Sequence, residues 1–167
     1  YLKMADHISE VSKQILPSED IDIIAYGCTS GTIAIGLDRI KEEENKTKPK
    51  AKVTTPITAA MKAFNHLGIK KIAVLTPYPK DVNATVYNYL MDNNINVESF
   101  SSFNLEYDSE IAQVSLASLE KEISKIDLSN VDGLFVSCTA LKIVDVLDRV
   151  ESSQNTVVIS SNQAIIW

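Results

Sequence analysis

The side chains of this sequence best suited to chemistry are two thiols. Cys28 and Cys138 are the only cysteines, and a threonine follows each of them. A thiolate is a strong nucleophile and base, and a thiol can donate a proton, so two of them could act on opposite sides of one small molecule. The neighbouring hydroxyl groups of Thr29, Ser30 and Thr139 could bind a carboxylate without help from lysine or arginine.

Both cysteines occupy the same position in an internal repeat. Residues 21–40 read IDIIAYGCTSGTIAIGLDRI and residues 131–150 read VDGLFVSCTALKIVDVLDRV, with seven of twenty positions identical at an offset of 110 residues. Each copy predicts a buried strand, a tight turn with the cysteine, and a helix. The thiols would then lie at the carboxyl ends of strands, where open α/β sheets bind ligands, and beside helix N-termini, which favour thiolates in general.

The rest of the chain alternates between predicted strands and helices. This alternation predicts an α/β fold with parallel sheets and helices on both faces. Strands are predicted at 21–26, 51–54, 71–75, 95–100, 131–136 and 156–160. Helices are predicted at 2–15, 30–43, 56–67, 80–92, 108–126 with a break near Ser115, and 140–150, and a last helix begins at Asn162.

The repeat divides the chain into two pseudo-symmetric halves. We predict that residues 1–48 are the remainder of a first lobe, that 49–160 form a second lobe, and that 161–167 begin a C-terminal helix. The second copy follows two predicted strands, whereas the first copy follows only 20 residues. We therefore expect the N-terminal part of the first lobe to be missing from this sequence.

The composition excludes several classes of function. The 167 residues are 45% hydrophobic and 23% charged, as in an ordinary soluble domain, and the net charge of −6 argues against a nucleic-acid partner. No apolar run approaches the ~18 residues that a membrane span needs. Cysteines that look like site residues fit a reducing compartment, so we predict a cytoplasmic protein. The sequence has no motif for a nucleotide, cofactor or metal, and His7 and His66 are expected at helix surfaces.

Each candidate residue also has a plainer interpretation. A single cysteine at a strand end is usually a small core residue, but equivalent Cys-Thr turns in both copies favour a functional pair. Tyr78 lies between Pro77 and Pro79 at a strand end, where its hydroxyl could point into a cleft or its ring could pack on the sheet edge. A redox pair would need the two sulfurs within disulfide distance. Zinc binding by two such distant cysteines is disfavoured.

Several motifs together resemble the aspartate/glutamate racemase superfamily, and most closely its branch of maleate cis-trans isomerases, arylmalonate decarboxylases and ectoine-utilisation proteins. The resemblance covers essentially the whole chain and implies two Rossmann-like lobes, an active site between them, and no cofactor. The motifs that carry it are Tyr26-Gly27-Cys28-Thr29-Ser30-Gly31, Thr55-Pro56-Ile57-Thr58-Ala59-Ala60, Leu75-Thr76-Pro77-Tyr78, Val136-Ser137-Cys138-Thr139-Ala140-Leu141 and Ser161-Asn162-Gln163-Ala164.

The resemblance also implies roles for these residues. Cys28 would be the nucleophile and Cys138 the opposing acid or base. Decarboxylases of the branch have glycine in the first turn, so two cysteines favour isomerase or racemase chemistry. Maleate isomerases use an asparagine in the region after the strand that ends near 103. The corresponding stretch 105–109 contains Asp108 and no clear equivalent other than Asn104, which favours the ectoine-utilisation-like proteins. The residues expected to bind the substrate are Thr29, Ser30, Tyr78, Thr139 and Ala140.

We therefore predict a cofactor-independent, two-cysteine isomerase or racemase that acts on a small carboxylic acid and contains no metal. Two alternatives stay open: a non-catalytic module that binds small carboxylates, and a decarboxylase of the same family. The expected partners are the carboxylate substrate and, in a homodimer, a second copy of the chain. Nucleic acids and membranes are not expected partners.

Overall fold

The computed structural model describes residues 2–167, which form an α/β fold with two parallel sheets. In the smaller sheet, β1 (Ile23–Ala25) pairs with β2 (Lys52–Thr54). The larger sheet has the strand order β4-β3-β5-β6. Its strands are β3 (Lys71–Thr76), β4 (Asn96–Ser102), β5 (Gly133–Val136) and β6 (Val157–Ser160). The predicted α/β class with parallel sheets is confirmed.

Helices precede, connect and follow these strands. Among residues 2–167, no helix combines the length and the apolar character needed to cross a bilayer. In chain order the helices are α1 (Leu2–Ala5), α2 (Ile8–Ser12), α3 (Thr29–Ile35), α4 (Leu37–Asn45), α5 (Pro56–Leu67), α6 (Lys80–Asp92), α7 (Asp108–Ile111), α8 (Leu116–Ile123), α9 (Leu147–Gln154) and α10 (Ser161–Ile166), with a 3₁₀ turn at Ile143–Val146 before α9.

Helix α5 has the ends that its sequence predicts. The Thr55 hydroxyl accepts a hydrogen bond from Thr58 N–H, and Pro56 occupies the first helical position, where no N–H is needed. Gly68 ends the helix at φ +70°, a conformation that glycine adopts without strain. On the buried face, Phe64 meets Phe135 of β5 edge to face, with 5.5 Å between ring centroids. These contacts fix α5 against the larger sheet.

The core lies around the two central strands of the larger sheet. Side chains of β3 and β5 are buried on both faces, as expected for a parallel sheet covered by helices. Helix α3, which follows the first cysteine, packs against both α5 and α6. The first cysteine turn is therefore held against helices that cover the larger sheet.

Three predicted helices differ from those in the structure. The segment 2–15 forms α1 and α2 with a turn between them, instead of one helix. The helix predicted at 30–43 is divided at Gly36, whose φ of +89° is incompatible with continuous α-helix. In the second copy, the helix predicted at 140–150 begins only with the 3₁₀ turn at Ile143. The two copies therefore differ directly after the cysteine.

The repeat extends beyond the two aligned segments. Strand β1 pairs with β2 just as β5 pairs with β6, and the helices that follow, α5 and α10, pack against each other. The strand at 52–54, which we assigned to the second lobe, therefore belongs to the sheet of the first cysteine turn, because its backbone bonds to β1. The lobe boundaries themselves stay a prediction.

Candidate active site

Both cysteines lie directly after the carboxyl end of a parallel strand. Cys28 follows β1 and is the N-cap of α3, with an extended φ of −118°. Cys138 follows β5 at a φ of +103°, in the left-handed region that residues with a Cβ atom rarely adopt. The turns thus occupy equivalent places in the fold, at the carboxyl ends of parallel strands as the repeat predicts, but their backbone conformations differ at the cysteine itself.

The Cys28 sulfur is held by the first turn of α3. Its Sγ accepts a hydrogen bond from Gly31 N–H at 3.2 Å and lies 3.9 Å from Ser30 Oγ. A Cβ atom on Gly31 would come within 2.8 Å of both Cys28 Sγ and Tyr26 Oη. The close approach of this backbone N–H to the sulfur therefore requires glycine.

The Cys138 sulfur is almost completely buried, with 8% of the residue exposed. Burial raises the pKa of this thiol, while the Ala140 N–H, 3.4 Å from Sγ, and the Tyr78 hydroxyl act in the opposite direction. The negative charge of Asp108, and that of Cys28 when it is a thiolate, raise the pKa of Cys138 further. Neither cysteine forms a disulfide within the described chain.

Tyr78 lies between the two cysteine turns. It is 4% exposed, and its hydroxyl interacts with the side chains of Ser30 in the first turn and of Ser137 and Cys138 in the second. Burial, followed by the charge of Cys138, raises the pKa of this phenol well above its ordinary value. The hydroxyl thus stays protonated and can donate a hydrogen bond at any ordinary pH.

Side chains that the sequence did not single out hold the loop of Tyr78. The Tyr78 carbonyl oxygen accepts two hydrogen bonds, from Asn83 Nδ2 and from Ser102 Oγ, each at 2.7 Å. Thr76 Oγ1 in turn donates to Asn83 Oδ1 and lies 3.1 Å from Ser102 Oγ. Asn83 lies inside a helix and Ser102 ends a strand, and neither position carries a sequence signal for this role.

Three hydrogen bonds, the inter-turn bonds, connect the cysteine turns across the two sheets. Thr29 Oγ1 donates to Ser161 Oγ at 2.9 Å, and Cys138 N–H donates to the same oxygen at 3.1 Å. Thr139 Oγ1 donates to the Gly27 carbonyl at 2.8 Å. The hydroxyls of Thr29 and Thr139, which were predicted to bind substrate, therefore contact the opposite half of the chain. Ser161 was not among the predicted site residues.

Together, the fold and the site define a class of α/β protein with two parallel sheets. A cysteine turn follows one strand of each sheet, and the inter-turn bonds join the two turns. The profile of the arylmalonate decarboxylase (Amdase) family matches residues 4–167, so the chain belongs to this family. The predicted resemblance to this branch of the aspartate/glutamate racemase superfamily is confirmed.

Known members of the family share the fold at low sequence identity. The chain is 23% identical over 154 residues to maleate isomerase of Pseudomonas putida KT2440, covering 87% of this chain and 62% of that protein. Maleate isomerase Iso of Pseudomonas putida S16 aligns with a TM-score of 0.85 at 20% identity, over 98% of this chain and 67% of that one. A mutant of Nocardia farcinica maleate cis-trans isomerase with a covalently bound succinylcysteine intermediate gives 0.83 at 16% identity, over 97% and 67%.

Proposed function

We propose that this chain carries a cofactor-independent, two-cysteine site that isomerises or racemises a small carboxylic acid. The observation that carries the proposal is the pair of free thiols that the inter-turn bonds hold around the Tyr78 hydroxyl. The names of the relatives support it, because maleate is a small dicarboxylate. Since the chain spans 62% of the length of the Pseudomonas putida KT2440 relative, the proposal concerns the residues present here.

The two thiols differ in a way that suits different roles. The raised pKa of Cys138 keeps its thiol protonated at neutral pH, so this residue begins the reaction as a proton donor. Cys28 Sγ is half-buried and accepts the Gly31 N–H, a donor that stays in place as charge develops on the sulfur. We therefore assign Cys28 as the group that attacks first.

For a cis-trans isomerisation, the Cys28 thiolate adds to one carbon of the double bond. The electron pair released onto the other carbon takes the proton of Cys138, which gives a saturated thioether. Rotation about the new carbon–carbon single bond follows. The Cys138 thiolate then takes back the proton, the double bond re-forms, and the Cys28 thiolate leaves. The succinylcysteine of the Nocardia farcinica relative has the form of this thioether.

For a racemisation, the same two groups act without a covalent bond to carbon. The Cys28 thiolate removes the α-proton from one face of the acid, and the Cys138 thiol donates a proton to the opposite face. In either reaction the carboxylate would accept hydrogen bonds from Tyr78 Oη and Ser30 Oγ, which lie next to the sulfurs. No metal or organic cofactor enters these steps.

Decarboxylation is the second candidate, because the matching family is described by that activity. Loss of carbon dioxide from an arylmalonate leaves a carbanion, and Cys138 alone could protonate it. Cys28 then has no assigned task, which makes this reaction the weaker proposal for a chain with a cysteine in each turn.

The deciding experiment incubates the protein in deuterated water with aspartate, glutamate, maleate or an arylmalonate. Deuterium at an α-carbon indicates a racemase, conversion of maleate to fumarate indicates an isomerase, and loss of carbon dioxide indicates a decarboxylase. If no acid reacts but one of them protects Cys28 from alkylation, the catalytic proposal is wrong and the chain is a carboxylate-binding module.

A further inference from the structure

Ser161 bonds to both cysteine turns through its side chain. It is fully buried and is the first residue of α10. Its Oγ accepts the backbone N–H of Cys138 at 3.1 Å and the hydroxyl of Thr29 at 2.9 Å. One oxygen atom therefore fixes the backbone at the second cysteine and the side chain next to the first.

The pseudo-symmetry of the fold supplies a natural comparison. Thr55 caps α5 after β2, and Ser160 caps α10 after β6, so Ser161 corresponds to Pro56 at the first helical position. Proline has no hydroxyl to offer the first cysteine turn. The copy with Pro56 has its cysteine at an ordinary extended φ, and the copy with Ser161 has its cysteine in the left-handed region.

The left-handed conformation of Cys138 needs an interaction that maintains it. Its Cβ atom crowds the backbone at positive φ, so a free turn would relax to negative φ. Three bonds oppose this relaxation: Cys138 N–H to Ser161 Oγ, Ala140 N–H to Cys138 Sγ, and Leu141 N–H to the Cys138 carbonyl oxygen. Of these, only the bond to Ser161 comes from outside the turn. The preceding hydroxyl, Ser137 Oγ, is buried beside the Tyr78 hydroxyl and bonds to no backbone group among residues 2–167, so it does not hold the Cys138 backbone.

We propose that Ser161 is a positioning residue that holds Cys138 in its left-handed conformation and, through Thr29, holds the second thiol opposite the first. Ser161 does not touch the substrate. It acts through the Cys138 backbone, which aims the sulfur toward Tyr78 and keeps it buried. The inference deepens the proposed function and rests on it only where activity is measured.

The first test needs no substrate. In the full chain with Cys28→Ser, Cys138 is the only thiol, and its rate of alkylation by iodoacetamide is measured against pH with and without Ser161→Ala. Losing the acceptor for Cys138 N–H should let the turn relax and expose the sulfur. We expect a lower titration midpoint and alkylation ~10-fold faster at neutral pH, which corresponds to a shift of one pKa unit.

Ser160→Ala is the matched control. It removes a buried hydroxyl from the adjacent residue and weakens the same helix, because Ser160 Oγ accepts Gln163 N–H, which belongs to neither cysteine turn. We expect both variants to lower the melting temperature and only Ser161→Ala to change the alkylation profile. Equal profiles for the two variants would overturn the proposal and leave Ser161 as a packing residue.

The conservative variant Ser161→Thr keeps a hydroxyl at this position and should retain the profile of the parent protein. If Ser161→Thr shifts the alkylation profile of Cys138 as far as Ser161→Ala does, the loss of the hydroxyl is not the cause of the shift and the proposal is wrong. With Cys28 restored and a substrate identified, Ser161→Ala should lower kcat by ~100-fold with little change in KM, because misplacing a reacting group affects the transition state. If the unchanged protein turns over no acid, the proposed function fails, while the alkylation result still decides the role of Ser161.

Discussion

The hydroxyl of Thr139 donates a hydrogen bond to the carbonyl oxygen of Gly27 at 2.8 Å, across 112 positions of the chain. Thr139 follows the second cysteine and Gly27 precedes the first, so the bond joins the two cysteine turns directly. The hydroxyl of Thr29 likewise donates a hydrogen bond to the opposite half of the chain, at Ser161. We therefore expect a substrate carboxylate to depend mainly on Ser30, Tyr78 and backbone N–H groups near the sulfurs.

Gly31→Ala tests whether the first cysteine needs its close backbone donor. The added Cβ would lie 2.8 Å from Cys28 Sγ and from Tyr26 Oη, so the sulfur has to move away from the Gly31 N–H. Alanine favours a helix over glycine by up to ~1 kcal/mol, so the fold itself should not suffer from the exchange. We expect a ~10–100-fold loss of kcat with a melting temperature close to that of the parent protein.

Gly27→Ala is the control for this substitution. No atom lies within 4 Å of a Cβ built on Gly27, and its carbonyl oxygen remains available to Thr139. This variant should retain most of its activity. If the two glycine variants lose activity equally, the sulfur contact at Gly31 is not the reason.

Tyr78→Phe tests the hydroxyl between the turns. The variant loses a hydrogen-bond donor near the substrate, so we expect kcat/KM to fall by ~100-fold. The Tyr78 hydroxyl also lowers the pKa of Cys138, so the alkylation midpoint of Cys138 should move upward in the variant. Tyr87→Phe, whose ring packs near Phe100, is the matched control and should change neither quantity. An unchanged alkylation midpoint in Tyr78→Phe would rule out the contact with Cys138.

Much of this fold can be read from the sequence because its helices carry strong local signals. Helices α5 and α6 have the predicted limits, since the Pro56 start and Gly68 stop of α5, and Pro79 ahead of α6, act within a few residues. The central strands β3 and β5 are equally easy to predict from the sequence, because their side chains are apolar on both faces. The break at Gly36 was missed because a single glycine inside a helical pattern is often tolerated.

The sequence singles out the two thiols of the candidate site but not the side chains that hold them in place. The repeat located Cys28 and Cys138, and the proline-flanked position suggested the side on which Tyr78 lies. Ser161, Asn83 and Ser102 act through hydrogen bonds to residues distant in sequence or to backbone carbonyls. A single serine or asparagine is common on any surface, so only the tertiary structure distinguishes these residues.

The buried Cys138 thiol should make stability depend on pH in the alkaline range. Its pKa is raised in the folded protein, so on raising the pH the unfolded chain loses this proton first. The contribution of Cys138 is therefore fully present below the ordinary thiol pKa and is lost as the pH rises toward the folded value. Urea unfolding at about pH 7 and about pH 10 should show a smaller alkaline loss for Cys138→Ser than for the parent protein.

Asp108 offers a finer test of the same electrostatics. Its negative charge raises the pKa of Cys138, although burial is the larger cause. Asp108→Asn should therefore lower the alkylation midpoint of Cys138 measured in the Cys28→Ser protein. Asp92→Asn, at the exposed end of α6, removes an equal charge away from the site and should leave the midpoint unchanged. A rise of the midpoint in Asp108→Asn would contradict the sign of this interaction.

The last prediction concerns the two thiols as a pair. Cys28→Ser and Cys138→Ser should each lower turnover by at least ~100-fold, because a serine hydroxyl is a far weaker nucleophile and base than a thiolate. The exchange is nearly isosteric, so the stability of either variant at neutral pH should change little.

The variants should fail at different steps, and the difference identifies the reaction. In a cis-trans isomerase, Cys28→Ser forms no adduct, whereas Cys138→Ser removes the efficient proton donor and acceptor and lets an adduct on Cys28 accumulate for mass spectrometry. In a racemase, either variant should still eliminate a good leaving group from one enantiomer of a substrate analogue, because one base is enough for that half of the reaction. Near-normal turnover in both variants would exclude a two-thiol mechanism and leave carboxylate binding as the better account of these turns.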